Sequence, residues 1–395
     1  MKSKNNAGWL VVFGAILIQI CIGAVYSWSL FNEPLMEKFG WSENDVVFTF
    51  SIVIFIFAFT TIFSGRLQDK IGPKKVSLIG GIVYGIGLIL TSTATSIAQL
   101  HIYYGVVAGI GIGFCYVCPL STCVKWFPDK KGLITGITVG AFGLGSFVFK
   151  SVIQTLLSLK GVSQTFLYVG IIYLLLIVIG AQFLKLPIKD DFSKFKEENT
   201  TLEENNYTLS EMIKTKTFIT LWIMFLLGTM SGLLVIGLAK DIGVQLAGLA
   251  PSVAANVVAI IALFNASGRI IWGALSDKLG RIKVVVILFV ITSASMFYMS
   301  FITLHFLNFF IAVASIAFCF GGFLAVFPTI TGDFYGMKNL GANYGIVYQA
   351  YGISAIIGPI IAANTGSLIT TFIIAGIFSV VGIILTLTIR VPKRI

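Results

Sequence analysis

The chain has 395 residues, 57% of them hydrophobic and only 11% charged, with a mean hydropathy of +0.97. Soluble domains carry about 25% charged residues, so this composition excludes a water-covered globule and makes lipid the main solvent. The net charge of +11 is not a nucleic-acid footprint, because the basic residues fall in short clusters between apolar runs, the pattern that orients membrane proteins.

In chain order, apolar runs occur near 9–31, 46–65, 76–96, 99–120, 133–157, 164–184, 217–238, 251–273, 284–304, 307–330, 342–363 and 366–389. A membrane helix needs about 20 apolar residues, so the runs predict an all-α membrane protein of about twelve spans. The first run, from Trp9 to Phe31, is too long for the core of a secretory signal and no small-residue cleavage site follows it, so it is read as span 1. The long polar segment 186–216, with Lys189, Asp190, Asp191, Lys194, Lys196, Glu197, Glu198, Glu203 and Glu204, divides the runs six and six. The expected organisation is an N-terminal bundle over 1–185, a cytoplasmic linker over 186–216 and a C-terminal bundle over 217–395.

Lysine and arginine set the orientation. With both termini inside, four of the 27 basic residues (Lys38, Lys150, Lys160 and Lys240) lie at the outer side and Arg269 lies within a span, while the others are cytoplasmic. Trp9, Trp126, Trp222 and Trp272 then fall near inner span ends and Trp41 near an outer one, as interfacial tryptophans do.

The two halves repeat. Gly65-Arg-Leu-Gln-Asp-Lys-Ile-Gly-Pro-Lys-Lys75 aligns with Gly273-Ala-Leu-Ser-Asp-Lys-Leu-Gly-Arg-Ile-Lys283 at an offset of 208. Gly113 to Pro119 aligns with Gly322 to Pro328, and Gly136 to Gly143 with Gly345 to Gly352, both at 209. An even number of spans per half gives the halves one orientation, as in parallel-repeat transporters with a substrate site at the repeat interface. The duplicated G-x-L-x-D-K-x-G-x-x-K pattern resembles the loop between spans 2 and 3 of the major facilitator superfamily and its echo between spans 8 and 9. That resemblance implies twelve transmembrane helices in two six-helix pseudo-repeats, the major facilitator fold. Asp69 and Asp277 are placed to face helix N-termini, with Arg66, Lys70, Lys278 and Arg281 pairing nearby, as a latch that holds one conformation.

A narrower resemblance covers nearly the whole chain. Tyr26-Ser-Trp28, Lys125-Trp-Phe-Pro-Asp-Lys-Lys-Gly132 and Asn265-Ala-Ser-Gly-Arg269 are together similar to the oxalate–formate antiporter family, which includes bacterial monocarboxylate carriers. The family implies an anion site centred on the span 8 arginine, here Arg269. The residues support this on their own. Arg269 is the basic residue deep inside a span and precedes Asp277 by eight residues, about 12 Å of helix. A charge at that depth is a functional hypothesis by default, and a guanidinium binds carboxylate bidentately. The repeat partners of Asn265 and Arg269 are Phe57 and Thr61, so the amide and the cation belong to the C-terminal half alone. In the same comparison Tyr348, Gln349 and Tyr351 on span 11 replace Val139, Gly140 and Phe142, and Tyr116 on span 4 stands opposite Ala325. The expected substrate-binding set is Arg269, Asn265, Tyr116, Tyr351, Tyr348, Gln349 and Tyr26.

Two departures from the related carriers bear on mechanism. The family's oxalate exchanger has a lysine on span 11 where Tyr351 stands here. Animal monocarboxylate carriers have an aspartate where Asn265 stands. The expected function is secondary transport of a small monocarboxylate such as lactate, pyruvate or formate, alone or with a proton or an exchanged anion. The alternative is oxalate–formate exchange, with a sensor built on a transporter scaffold a distant third. Partners are the carboxylate and the bilayer, with no nucleic acid, no cofactor and no metal, and the protein is expected to act as a monomer in the plasma membrane. No catalytic residues are expected, since no span carries a carboxylate or histidine cluster. Cys115-x-x-Cys118 lies in an apolar span and reads as packing. Asn199-Thr-Thr and Asn206-Tyr-Thr match the glycosylation pattern but sit in a linker placed on the cytoplasmic side.

Overall fold

A computed structural model of the chain describes residues 2–187 and 206–392; the linker charges from Lys189 to Glu204 and the last residues of both termini lie outside the described residues. The helices are α1 (Lys2–Gly23), α2 (Ser29–Phe39), α3 (Glu43–Ile71), α4 (Pro73–Thr91), α5 (Gly109–Trp126), α6 (Lys131–Phe183), α7 (Lys216–Gln245), α8 (Pro251–Leu279), α9 (Arg281–Phe301), α10 (Phe306–Tyr335), α11 (Leu340–Val347), α12 (Gln349–Thr365) and α13 (Leu368–Thr388). No strand occurs among the described residues. Ten helical stretches among them are long and apolar enough to cross a membrane. One, Pro128–Phe183, makes two passes, because the backbone turns at Gly161 (φ 73°, ψ 173°), where a residue with a Cβ would be strained. Pro251–Leu279, α8, is a further long helix and carries Arg269. This is the all-α fold expected from the sequence.

Helix ends have local causes. Gly72 (φ 90°) stops α3 and Pro73 opens α4, while Gly280 (φ 91°) separates α8 from α9. Ser42 and Thr215 cap α3 and α7 by accepting from the Asp45 and Phe218 N–H groups at 3.2 and 3.1 Å. The apolar run 342–363 forms one membrane-length stretch, Leu340–Ala362, whose hydrogen-bond ladder is locally interrupted at Tyr348 between α11 and α12. At that break the Gly345 carbonyl accepts from Thr61 Oγ1 at 3.0 Å and from Gln349 Nε2 at 3.1 Å. Side chains that enter the main-chain ladder in this way are a recognised cause of helix breaks.

The described residues group into two compact units. The first comprises Met1–Pro128, Ala141–Leu209 and Tyr335–Gln349, and the second Asp129–Gly140, Ser210–Phe334 and Ala350–Ile395. The opening turns of α6 thus belong with the C-terminal helices, and α11 with the N-terminal ones. In the first unit, Trp28 packs against Tyr104 (ring centroids 4.3 Å) and donates from Nε1 to the Val46 carbonyl at 3.2 Å. In the second, Val235, Ile242, Ile261, Met296, Phe309 and Phe372 form a buried cluster. Trp272 departs from the interfacial expectation. It is 7% exposed and packs on Phe318 at 5.6 Å, because this face of α8 is turned toward α10.

Candidate functional site

Arg269 does not reach for solvent. It is 1% exposed, its Nε donates to Asn265 Oδ1 at 2.8 Å, and its Nη1 donates to the Val139 carbonyl at 2.7 Å. Asn265 lies one turn earlier on α8, so a single helix face presents acceptor and cation together. Val139 is in the opening part of α6, within the same unit. Small residues allow this close approach. A Cβ on Gly136 would collide with the Arg269 carbonyl, and one on Gly321 of α10 with the Asn265 carbonyl. The α8 main chain at Arg269 therefore runs against α6 and α10 at a distance that only glycine permits, and the guanidinium is bonded to Asn265 and to Val139 of α6.

The first unit contains the repeat-related contact without the charge. Thr61, the counterpart of Arg269, donates to the Gly345 carbonyl at 3.0 Å, and Gly345 is the counterpart of Gly136. Gln349 Nε2 also donates to the Ala58 carbonyl at 2.6 Å, so this expected substrate residue braces α3 against the start of α12. The other expected residues of this unit gather around Phe57. Tyr116, Phe142 and Tyr348 lie 5.1, 5.9 and 5.5 Å from it, and Tyr116 and Tyr348 are 4.6 Å apart. Tyr26 joins through Phe142 at 5.3 Å. Tyr351 belongs to the second unit, where it is 1% exposed and its carbonyl accepts from Ser354 Oγ at 2.7 Å.

The expected latch residues occupy equivalent places in the two units. In the second, Asp277 caps α6, accepting from the Gly132 and Leu133 N–H groups at 2.9 Å each. In the first, Asp69 lies beside the Ala342 N–H in the opening turn of α11 and in the field of Lys125. Each carboxylate faces the positive end of a helix. Beside each cap two glycines touch, Gly273 with Gly132 and Gly65 with Gly341. Arg281 pairs with Asp277 at 2.6 Å and with Asp333 at 3.1 Å. Arg66, Lys70 and Lys278 are exposed.

Sequence reasoning missed Asp333, Lys131, Lys125 and Ser276. Lys131 Nζ meets Asp333 Oδ1 at 2.7 Å, and Arg281 Nη1 donates to Ser276 Oγ at 2.6 Å. The signal was present: the repeat partner of Asp333 is Val124 and that of Lys125 is Phe334, the same one-sided charge that singled out Arg269. All five cysteines are free and buried, Cys115 and Cys118 among them.

Comparison with known proteins identifies the family and the fold. The family model of the Major Facilitator Superfamily matches residues 9–254 and 217–395. The xylose–proton symporter XylE shares the fold at a TM-score of 0.78 and 13% identity, over 96% of this chain and 95% of its own. The fucose transporter FucP does so at 0.73 and 13%, over 97% and 99%. An uncharacterised transporter of the same superfamily in Escherichia coli, YhjX, is 40% identical over 90% of this chain and 87% of its own. The oxalate:formate antiporter of Oxalobacter formigenes is 31% identical over 98% and 92%, and human monocarboxylate transporter 12 is 26% identical over 98% and 81%. The chain belongs to the major facilitator superfamily and, within it, to the oxalate–formate antiporter family. It is a multi-pass membrane transporter and not an enzyme.

Proposed function

We propose that the protein is a secondary transporter of small monocarboxylates of the lactate, pyruvate or formate type, working by alternating access. The observation that carries this reading is Arg269, a buried cation on α8 braced by Asn265 and by the Val139 carbonyl. A planar fork fixed in this way fits a carboxylate bidentately. Tyr26, Tyr116, Tyr348, Gln349 and Tyr351 are included in the proposal as hydrogen-bonding residues for substrate. The basic loops favour a plasma-membrane protein with cytoplasmic termini, acting as a monomer. Asn265 replaces an acid, which leaves proton symport and anion exchange as the two coupling modes.

Charge counting favours monoanions. No lysine or arginine lies between Lys338 and Arg390, so span 11 supplies no second cation. The second carboxylate of a dianion would be desolvated without a counter-charge, which costs roughly several kcal/mol. Monocarboxylates are therefore preferred over oxalate by at least about tenfold, or about 1.4 kcal/mol. The test is competition of labelled lactate, pyruvate or formate uptake into reconstituted vesicles by unlabelled oxalate, with Tyr351→Lys expected to lose part of the preference. Oxalate competing as well as the monoanions in the unaltered protein would replace this reading with oxalate–formate exchange.

A further inference from the structure

Asn206-Tyr-Thr208, the end of the linker, is bonded into the fold. Tyr207 is 4% exposed, and its N–H donates to the Tyr335 carbonyl at 3.0 Å. Its carbonyl accepts from Asn339 Nδ2 at 3.0 Å and from Asn343 Nδ2 at 3.1 Å. Its ring meets that of Tyr335 edge-on at 5.4 Å. Next to it, Asn206 Oδ1 accepts from the Lys338 N–H at 3.2 Å. Every one of these partners lies in 335–343, the segment that leads into α11. Asn343 is fully buried in the opening turn of that helix, where Asp69 lies beside the Ala342 N–H.

A surface connection ordinarily leaves its backbone to water. Here two asparagines one turn apart converge on one carbonyl, and a third polar side chain takes the N–H of the facing loop. The chain leaves the first unit between Leu209 and Ser210 and returns to it at Tyr335. The contact thus ties together two of the places where the chain crosses between units.

We infer that Asn206 and Tyr207 form a clip that holds the start of α11 in the arrangement seen here and has to release for α11 to move in the transport cycle. The inference rests on the alternating-access reading. Hydrogen bonds of this kind contribute modestly one by one, so the clip biases a two-state equilibrium yet opens on the timescale of carrier turnover.

Two measurements test it. In the Asn206→Cys/Lys338→Cys protein in vesicles, a short reducible bis-thiosulfonate cross-linker should lower lactate uptake about tenfold or more, and dithiothreitol should restore it. The second needs no transport and has a low background, since the native thiols are buried. In the Ala342→Cys protein in detergent, adding Tyr207→Ala, which keeps the main-chain bonds but removes the ring packed on Tyr335, should speed maleimide labelling about tenfold, whereas Tyr207→Phe, which also keeps the ring contact, should leave it slow. Full uptake with the pair cross-linked, or a labelling rate that Tyr207→Ala leaves unchanged, overturns the clip. If the reduced protein carries no carboxylate at all, the transport reading fails, and the labelling rates alone decide the clip.

Discussion

Arg269 and Thr61 stand at equivalent points of the repeat, and each donates to a carbonyl of the helix it crosses, Val139 for one and Gly345 for the other. Threonine does this as a neutral group. Arginine brings a charge whose burial costs roughly several kcal/mol. Two charge-assisted hydrogen bonds, each contributing about 1.5–3 kcal/mol, offset much of that cost, so the site tolerates the cation before any anion arrives. Arg269→Ala is expected to abolish carboxylate uptake and the thermal stabilisation that carboxylate gives the detergent-solubilised protein. Arg269→Lys should fold and insert yet remain poorly active, because a point ammonium cannot reproduce the planar fork. Both are read from uptake and melting curves with and without lactate. Unchanged carboxylate affinity in Arg269→Ala would remove the arginine from the site. That Arg269 would be buried was legible in the sequence from its depth within an apolar run. Its bond to Val139 was not, because the two residues are 130 positions apart.

Helix crossings at the basic ends depend on glycine. Gly136 lies against the Arg269 carbonyl and Gly132 against Gly273, while Gly65 and Gly341 repeat the contact in the first unit. Lipid supplies no hydrophobic drive between helices, so close van der Waals approach has to hold them together. A branched side chain forced into such a contact costs about 1–3 kcal/mol. Gly136→Val is therefore expected to lower the apparent melting temperature in detergent and to slow uptake. Gly358→Ala, where the nearest neighbouring atom would be 3.8 Å away, should stay within about 0.5 kcal/mol of the unaltered protein. Equal melting temperatures for the two variants would show that the crossing is looser than its geometry. The duplicated loop motif made the Asp69 and Asp277 caps readable in advance. The interruption at Tyr348 was not readable, since the Thr61–Gly345 bond beside it joins residues 284 positions apart.

At the scale of the molecule, orientation is a matter of charge distribution. An exposed residue such as Glu37 on α2 falls on the side poor in basic residues. A single cysteine at Glu37 should react with an impermeant maleimide from outside intact cells, and one at Glu197 only after permeabilisation. Labelling of the Glu197→Cys protein in intact cells would invert the topology. By itself the sequence determined the number of passes, the repeat and the family, because apolar run length, basic loops and duplicated spacing are local or periodic properties that lipid reads directly. Tertiary structure alone decided that α6 opens in one unit and α11 in the other, that Asp333 completes the charge set with Lys131 and Arg281, and that Tyr207 is bound to the approach to α11. These are contacts between segments more than fifty residues apart in most cases, and nothing in residue type or spacing marks which distant carbonyl or carboxylate a side chain will meet once the helices pack.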